Sequence, residues 1–403
     1  MSKGKVALPA VRFEGFSGEW SYKKIGNVFS ETSRPVELCD EKEYQLVTVK
    51  RRCEGVVPRS KLKGKQILVK NYFTIKSGDF LISKRQVVHG ATGVVPSILD
   101  NAVVSNEYLV AKDNDEVTAD FLGLISKRPE IRKLFFVSSY GVDIEKLVFD
   151  VNDWKSRSIY LPSPIEQTKI GSFFQDVDKQ LKLHQDKLTK LQQLKKAMLG
   201  KMFPKAGETV PELRFAGFSG DWDNKKLADI TDSYSGGTPT VGVGEYYGGE
   251  IPFIRSGEIG SKNTGLFITA KGLNNSSAKM VEKGCILYAL YGATSGEVAI
   301  SKIDGAINQA ILAIKPSSSY KSWFIALWLE WRKQEIISTY LQGGQGNLSG
   351  SIVKNLGFDF PCFDEQTKIA EYFQNLDRLI NLQQQQIEKL KNLKQAYLAK
   401  MFV

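Results

Sequence analysis

Residues 166–203 read EQTKIGSFFQDVDKQLKLHQDKLTKLQQLKKAMLGKMF, and residues 365–402 read EQTKIAEYFQNLDRLINLQQQQIEKLKNLKQAYLAKMF. Aligned without a gap at an offset of 199 residues, the two segments are identical at 19 of 38 positions. A second pair also matches, because residues 12–24 read RFEGFSGEWSYKK and residues 214–226 read RFAGFSGDWDNKK. The chain is therefore a duplicated unit.

The order of these segments indicates a ring. The first long repeat, 166–203, runs on into the segment 214–226, whereas the second long repeat is followed by Val403. The segment that would come next, 12–24, stands instead near the N-terminus. The two units thus resemble a ring opened at one junction, and we expect the two termini to lie close together.

Both long repeats have the composition of helices, since they lack proline and are rich in Glu, Gln, Lys and Leu. Apolar residues recur with heptad spacing. His184 and Lys195 fill the two gaps of the first copy, and Gln383 and Lys394 fill the gaps of the second. Because Leu194 directly precedes Lys195, the apolar stripe is expected to shift phase there.

The two helices are expected to pair with each other, and the ring order makes the pairing antiparallel. His184 and Gln383 then face each other, and we interpret them as a polar seam position that fixes the register, with a pH switch as the alternative. The predicted packing residues of this spacer are Val177, Leu181, Leu188, Leu191, Leu376, Ile380, Ile387 and Leu390.

Two globular segments lie between the repeats: the first head, residues 20–160, and the second head, residues 222–358. Each mixes short alternating strands with an amphipathic helix. The strands are expected within 73–83 and 284–292, and the helices within 322–340 and, interrupted by a proline, 117–136. Both heads carry a Gly-Ala-Thr triplet after a strand, but the loops around it differ, so one scaffold is predicted to serve two specificities.

The predicted fold class is mixed α/β, with two tandem globular α+β domains separated by two long helices that form an antiparallel coiled coil, in a pseudo-two-fold repeat. The predicted domains are 1–160, with a boundary segment at 9–24, then 161–206 for the first long helix, 207–358 for the second globular domain and 359–403 for the second long helix.

The charge balance favours a polyanionic partner. The chain carries 55 basic and 44 acidic residues, a net charge of +11. The first head holds 23 basic and 18 acidic residues, and the second head holds 13 and 11. The most basic stretch is 50–70, with eight basic residues and one acidic residue. Nucleic acid is one partner of this kind, and an ordinary solvated face is the alternative.

Composition excludes several classes of protein. With 42% hydrophobic residues the chain is not disordered, and it has no apolar stretch long enough to span a membrane. The first 15 residues contain no apolar signal core, so we do not expect secretion. The four cysteines are widely separated, which fits a reducing cytoplasm. Two histidines in the whole chain disfavour His-based metal or triad chemistry.

The glycine-rich segments 236–260 and 342–350 do not match a nucleotide-binding fingerprint. The sequence also lacks a Walker loop, GxSxG, HExxH and the Asp/Asn-Pro-Pro-aromatic signature of amino methyltransferases. We therefore predict no catalytic residue and no metal site.

The chain resembles the specificity subunits of type I restriction–modification systems over nearly its whole length. The resemblance rests on the boundary segments at Trp20 and Trp222 and on four further stretches. These are LPSPIEQTKIGSFFQDVD (161–178), FPCFDEQTKIAEYFQNLD (360–377), GGTPTVGVGEYYGGEIPFIRSGEI (236–259) and ILYALYGATSGEVAI (286–300).

The resemblance implies two target-recognition domains, each reading one half of a bipartite double-stranded DNA sequence. The helices would set the gap between the half-sites and bind two DNA methyltransferase subunits, and restriction subunits with translocase activity would join the complex. This chain would bind no cofactor, since S-adenosylmethionine, ATP and magnesium would belong to the partner subunits, which methylate adenine at N6. It would have no contact with a membrane.

The predicted DNA contacts follow from residue chemistry, with lysines on phosphates and loop side chains on base edges. In the first head they are Arg51, Arg52, Lys61, Lys63, Lys65, Lys84, Arg85, Gln86, His89 and Thr92. In the second head they are Arg255, Ser256, Tyr288, Tyr291, Thr294, Ser295, Gln342, Gln345 and Asn347.

Two other functions stay open at this point. One is a coiled-coil adaptor that joins proteins without reading DNA. The other is a self-sufficient enzyme that uses scattered carboxylates. Sequence-specific retention on duplex DNA would separate the first from a specificity subunit, and methyl transfer by the chain alone would reveal the second.

Overall fold

The computed structural model describes residues 7–68, 71–205, 207–341 and 347–403. It divides into two compact units, of which unit 1 comprises residues 1–183 and 386–403 and unit 2 comprises residues 184–385. Each unit therefore contains one head, part of one long helix and part of the other. The division crosses both long helices near their middles.

The first head consists of short strands and short helices. Its strands are β1 (Ser21–Lys24), β2 (Ser30–Glu31), β3 (Pro35–Val36), β4 (Glu43–Val49), β5 (Val56–Lys63), β6 (Tyr72–Thr74), β7 (Phe80–Ser83), β8 (Thr92–Val94), β9 (Val103–Ser105), β10 (Tyr108–Lys112), β11 (Ser139–Tyr140), β12 (Val148–Phe149) and β13 (Ser158–Leu161). Its helices are α1 (Ile25–Val28), α2 (Ala119–Ile125), α3 (Pro129–Val137) and α4 (Val151–Ser156), and the long helix α5 (Pro164–Met202) follows.

The second head has a similar element order. Its strands are β14 (Asp223–Lys226), β15 (Thr231–Ser235), β16 (Tyr247–Ile254), β17 (Phe267–Ile268), β18 (Lys279–Val281), β19 (Ile286–Ala289), β20 (Val298–Ile300), β21 (Gly305–Ile307), β22 (Ile311–Pro316) and β23 (Gly357–Phe360). Its helices are α6 (Leu227–Ile230), α7 (Ala270–Asn274), α8 (Ser322–Tyr340) and α9 (Gly350–Lys354), and the long helix α10 (Phe363–Lys400) follows.

The two heads share one sheet topology. The order β2-β10-β7-β8 in the first head corresponds to β15-β22-β19-β20 in the second, and β1-β13 corresponds to β14-β23. Among the described residues, only the first head has the two-stranded sheet β11-β12. The five-stranded sheet β3-β6-β9-β4-β5 corresponds to β18-β21-β16-β17 with β3 added at one edge. In both heads its central pair is parallel, β4 with β9 and β16 with β21, while the flanking pairs are antiparallel.

The helices of the heads begin and end where the sequence indicates. Pro129 is the first residue of α3, which explains the interruption between α2 and α3, because proline is tolerated in the first turn but not inside a helix. The Thr118 side chain accepts a hydrogen bond from the Phe121 amide and caps α2. The predicted helix at 322–340 is confirmed as α8, whose middle is buried in the core of the second head.

The long helices pair in antiparallel fashion within each unit. In unit 1 the start of α5 lies against the end of α10, with Phe173 packed 5.0 Å from Tyr397. In unit 2 Leu199 of α5 and Leu376 of α10 share one core. The predicted packing residues are removed from solvent: Val177, Leu376 and Ile387 are buried, and Leu181, Leu188, Leu191, Ile380 and Leu390 are half-buried. The predicted fold class, two mixed α/β domains with two long helices, is confirmed.

The predicted shift of the apolar stripe at Leu194 is wrong. Leu194 is 42% exposed, whereas the Lys195 side chain lies in the seam and is only 14% exposed. The ammonium of Lys195 is paired with Asp377 and Glu330, each at 2.9 Å. Burial alone would lower the pKa of Lys195, but these two carboxylates outweigh it and raise the pKa. Lys195 therefore stays charged while it occupies the heptad position in the seam, and the heptad spacing continues without a shift to Leu194.

The other gap in the heptads, which is filled by His184 and Gln383, has the predicted pairing. His184 Nδ1 lies 2.7 Å from Gln383 Oε1, so the two equivalent residues face each other inside unit 2. The reciprocal lysine pair lies in unit 1, where Lys394 binds Asp178. Polar residues thus occupy the same seam positions in both copies. They favour the one register of the two helices in which these polar side chains find partners, which apolar residues alone would not select.

Each long helix is anchored at its start by a buried carboxylate. Arg12 donates through Nε and Nη2 to Glu166, both at 2.7 Å, and Glu166 is only 1% exposed. Arg214 donates in the same way to Glu365, at 2.7 and 2.8 Å. We refer to these two bidentate pairs as the Arg–Glu locks.

The glutamine next to each lock ties the same helix to its head. Gln167 donates to the Pro162 carbonyl at 3.0 Å. It also accepts, at 3.1 Å, from the amide of Thr118, the residue whose side chain caps α2. In the second unit Gln366 donates to Pro361 at 3.0 Å and accepts from the Lys321 amide, just before α8, at 3.0 Å. The repeated Glu-Gln dipeptide therefore joins three segments.

The end of each long helix docks against the matching boundary segment. In unit 1 the Val11 amide donates to the Lys400 carbonyl at 2.9 Å, and Phe402 packs edge-on against Trp20. In unit 2 the Leu213 amide donates to the Lys201 carbonyl at 2.8 Å, and Phe203 packs edge-on against Trp222. Residues near the two termini are thus neighbours, as predicted. In the described residues, none of the helices is long and apolar enough to cross a membrane.

The Arg–Glu lock of unit 1 can be tested by the substitution Arg12→Met. The change leaves Glu166 buried without its cation, and we expect a loss of about 3 kcal/mol in the free energy of unfolding. The double variant Arg12→Met/Glu166→Met should recover much of this loss. Denaturant unfolding followed by circular dichroism measures both effects.

The matched control is Lys179→Met, which removes an exposed ion pair with Asp176 on the same helix. It should change the free energy of unfolding by less than about 1 kcal/mol. A loss for Arg12→Met no larger than that of the control would contradict the lock.

Candidate functional site

Three segments occupy the same place in the strand order of each head, and in the first head they also contact one another. The first follows the long strand that pairs in parallel, at 50–55 after β4 and at 255–259 after β16. The second is the loop that contains Gly-Ala-Thr, and the third follows the helix of the head. We call this set of segments the three-segment edge. In the first head its members are 50–55, 84–92 and 138–147, and in the second they are 255–259, 290–296 and the described residues 341 and 347–349.

In the first head the edge brings together three predicted residues. Arg51 donates from Nε to Gln86 Oε1 at 2.8 Å and from Nη2 to Glu145 Oε2 at 2.9 Å. His89 Nε2 lies 3.4 Å from Glu145 Oε1, at a distance suited to an ion pair but without hydrogen-bond geometry. Arg51 and His89 therefore lie beside one carboxylate, and Gln86 contacts another nitrogen of the Arg51 guanidinium.

Glu145 was not predicted from the sequence. It lies 94 residues beyond Arg51, in a segment whose sequence does not resemble the corresponding segment of the second head. A signal was nevertheless present, because the segment 138–147 follows the helix of the first head just as the glycine-rich segment follows the helix of the second. Comparing the heads element by element would have pointed to it.

In the second head the edge joins Tyr291 and Asn347, which form an isolated antiparallel bridge. The adjacent Leu348 amide donates to the Leu290 carbonyl at 3.0 Å. Thr294 is half-buried, with its hydroxyl 3.4 Å from the Tyr291 carbonyl. Two further predicted residues, Gln342 and Gln345, lie outside the described residues.

Arg255 and Ser256 occupy the first segment of the edge in the second head. Arg255 Nη2 donates to Glu258 Oε1 at 2.6 Å, and the Arg255 side chain is 56% exposed. This hydrogen bond, opposed by partial burial and helped by Thr264 and the Gly265 amide, lowers the pKa of Glu258 to about 2. Glu258 is therefore ionised at neutral pH and orients the guanidinium.

The other predicted basic residues of the first head lie apart from this meeting point or face other partners. Lys61 and Lys63 pair with the start of β4, at the opposite end of the β4–β5 hairpin from Arg51. Lys63 and Lys65 both bind Glu41, at 2.9 and 2.7 Å.

Three more basic residues belong to the edge segments but not to the Glu145 contact. Lys84 donates to the Asn106 carbonyl at 2.7 Å, and Arg85 binds Glu107 at 2.7 Å. Arg52 is exposed and has a positive φ of 60°.

Three predicted DNA contacts are corrected by the structure because their side chains are buried. Tyr288 has no exposed surface and lies in a core strand, where burial raises the pKa of its phenol to about 12. Thr92 is 2% exposed, and its hydroxyl donates to Ser126 at 3.0 Å. Ser295 donates to the Leu290 carbonyl at 3.1 Å and supports the loop from inside. Strand β19 is covered on both faces, so alternation did not reveal which side chains reach solvent.

Within the described ranges, no group of three or more His, Cys, Asp or Glu side chains is arranged to hold a metal ion. The chemistry of the edge is that of hydrogen-bond donors and acceptors. Arginine, glutamine, asparagine and tyrosine can recognise the edges of planar polar groups.

Two long stretches of the chain, residues 17–193 and 219–392, match the model of the type I restriction modification DNA specificity domain. The chain belongs to this family. The predicted resemblance is confirmed, and the two matches cover both heads and most of both long helices. One copy of the specificity domain thus corresponds to one head with the long helix that follows it.

The chain is also similar in sequence to individual specificity subunits of type I restriction enzymes. The MjaIX specificity subunit of Methanocaldococcus jannaschii is 31% identical over 188 residues, which cover 43% of this chain and 42% of that protein. The match therefore spans less than half the length of that relative. The HindI specificity subunit of Haemophilus influenzae is 25% identical over 351 residues, covering 68% of this chain and 74% of that protein.

A solved structure shares the fold. The S subunit of a type I restriction–modification system from M. genitalium superposes with a TM-score of 0.63 over 98% of this chain and 99% of that chain, at 15% identity. At this identity the likeness concerns the fold alone.

The coupling between Arg255 and Glu258 in the second specificity domain gives a titration test. Arg255→Gln removes the main hydrogen bond, so the pKa of Glu258 should rise from about 2 toward the ordinary value of 4.5. Because the folded-state pKa is depressed, the pair stabilises the loop above pH 4.5 and loses this effect as the pH falls toward 2. Carboxyl-carbon NMR titration measures both states.

Lys271→Gln serves as the control, because Lys271 binds the exposed Glu245 in the same head. It should leave the titration of Glu258 unchanged. The assignment fails if Glu258 titrates in its ordinary range in the unaltered chain.

Proposed function

We propose that this chain is the DNA specificity subunit of a type I restriction–modification complex and that each head reads one half of a bipartite duplex target. One observation carries the proposal: the two heads have the same sheet topology but different segments at the three-segment edge. A scaffold that is repeated in both heads can bind the same class of ligand twice, and loops that differ between the heads can select two different members of that class. Two half-sites of a DNA sequence are such ligands.

The chemistry of the edges supports this function. Arginine can bind guanine with two hydrogen bonds, and glutamine or asparagine can bind adenine in the same way. Arg51 and Gln86 in the first head, and Arg255 and Asn347 in the second, offer these groups. The net charge of +11 favours the phosphate backbone, and we expect the exposed Lys61 on β5 to contact it.

The proposed division of labour leaves catalysis to other subunits. This chain recognises DNA, while methyltransferase subunits bind S-adenosylmethionine and transfer a methyl group to adenine N6. Restriction subunits use ATP and magnesium for translocation and cleavage. The chain itself holds no cofactor and acts in the cytoplasm, where the DNA and these subunits are present.

Two methyltransferase subunits are proposed to bind the long helices, one for each copy of the repeat. Support comes from exposed leucines beside the seam. Leu183 and Leu194 are 46% and 42% exposed on α5, and the equivalent residues Leu382 and Leu393 are 44% and 40% exposed on α10. In each unit one of these leucines belongs to α5 and one to α10: Leu183 and Leu393 in unit 1, and Leu194 and Leu382 in unit 2. Each unit thus offers exposed apolar side chains of its own.

The bipartite target can be identified by modified-base sequencing of DNA from cells that express this chain with its methyltransferase subunit. We expect N6-methyladenine in one split motif with a fixed unread gap. Replacing residues 222–358 with the second head of another family member should change only one half of that motif. A continuous motif, or no motif with both proteins soluble, contradicts the proposal and favours an adaptor.

The docking of methyltransferase subunits can be tested by Leu194→Glu and Leu393→Glu. Each change places a charge among the exposed leucines of one unit, so we expect complexes with one methyltransferase subunit instead of two, and the double variant should bind neither. Native mass spectrometry counts the subunits. Gln192→Glu is the control, because Gln192 is already exposed and polar. Two bound subunits in both single variants would contradict this part of the proposal.

A further inference from the structure

Glu145 is an acidic residue among predicted DNA contacts of the first head. Its carboxylate joins Arg51 and approaches His89, while Gln86 accepts from the other side of the Arg51 guanidinium. We call Arg51, Gln86, His89 and Glu145 the reading cluster. The cluster combines a planar donor group with a fixed acceptor at one point of the three-segment edge.

The backbone beneath the reading cluster is rigidly defined. The Cys53 amide donates to the Gly90 carbonyl at 2.7 Å, which ties the turn after β4 to the Gly-Ala-Thr loop. Arg52 and Cys53 both have positive φ, 60° and 57°, which non-glycine residues adopt rarely. Gly90 has a positive φ of 75°, and a Cβ there would lie 3.1 Å from Cys53 Sγ, so the backbone conformation and the close approach both favour glycine. Such strained, tightly held turns occur preferentially at binding sites.

The ion pair in the cluster is not explained by stability. The side chains of Arg51 and Glu145 are 52% and 53% exposed. Exposed ion pairs contribute little to the free energy of folding, because water screens them. His89 Nε2 is also buried without a hydrogen-bond partner among the described residues. The cluster thus has polar groups arranged at the surface beyond what folding needs.

The presence of a carboxylate distinguishes a base-reading site from a phosphate-binding site. A carboxylate repels phosphate, so Glu145 would weaken a site built for the DNA backbone. In the major groove, by contrast, the amino group of cytosine is a donor that Glu accepts, and guanine offers two acceptors that Arg binds together. The two groups of one G·C pair therefore match the two groups of the Arg51–Glu145 pair.

We propose that the reading cluster selects a G·C base pair in the half-site of the first head. Arg51 donates to guanine and Glu145 accepts from cytosine, while Gln86 and His89 position the two charged side chains. This inference rests on the proposed function as a specificity subunit. The exposed apolar side chains of the same segment, Val142 at 96% and Ile144 at 52%, would lie against the groove and lose contact with water.

The test uses the full chain together with its methyltransferase subunit. Glu145→Gln keeps the size of the side chain but replaces one acceptor oxygen with an amide NH₂ group, which donates. We expect one G·C position in the first half of the methylated motif to lose its preference roughly tenfold to hundredfold, with the second half unchanged. Arg51→Lys keeps the charge but loses the planar pair of donors, so the same position should relax.

The matched control is Glu282→Gln in the second head, which removes an exposed carboxylate that binds Lys315. It should leave both halves of the motif unchanged. The unaltered second half of the motif also reports that each variant is folded and assembled.

Several results would overturn the inference. One is a base preference in the first half-site that stays unchanged in both Glu145→Gln and Arg51→Lys. Another is a loss of base preference at an A·T position instead of a G·C position. A uniform loss of affinity with a shallower salt dependence in Arg51→Ala, with the motif kept in Arg51→Lys, would identify a phosphate contact instead. If the unaltered chain directs no split motif, the proposed function fails and this inference fails with it. A split motif with an insensitive Glu145 overturns this inference alone.

Discussion

The Arg–Glu locks are the constraint on which the rest of the structure depends. A carboxylate with almost no exposed surface is costly to bury without a partner, and each lock supplies that partner through two parallel hydrogen bonds. Glu166 and Glu365 stand at the starts of the long helices, while Arg12 and Arg214 belong to the segments on which the ends of the helices dock. One pair therefore fixes where a helix starts, how it meets its head and where the other helix ends.

Much of this arrangement was predictable because it is repeated. The two long helices, their antiparallel pairing and the contact of His184 with Gln383 followed from the heptad spacing and the order of the repeats. The lock itself did not, because nothing in one sequence shows that Glu166 is buried. The phase of the seam was misjudged at Lys195, since apolar spacing takes no account of a lysine that finds Asp377 and Glu330 beside it.

The site was less predictable than the fold. Residue chemistry drew attention to Arg51, Gln86 and His89, which lie close together in the first head, but it could not reveal Glu145, whose segment joins them only in three dimensions. It also selected Tyr288 as a loop side chain that contacts base edges, whereas Tyr288 lies in β19, which is covered on both faces. Burial on both sides of a strand depends on the neighbouring elements, and no local pattern encodes it.

The composition of unit 1 has a consequence for biosynthesis. Its core includes Trp20 and Phe121 from the early part of the chain and Phe402 from the last few described residues. Unit 2 is continuous in sequence, so the ribosome delivers all of it before the final segment of unit 1. Domains of most proteins fold in the order of synthesis. Here the part that is made first must wait for residue 402 before its core closes, and until then its aromatic face stays open to water.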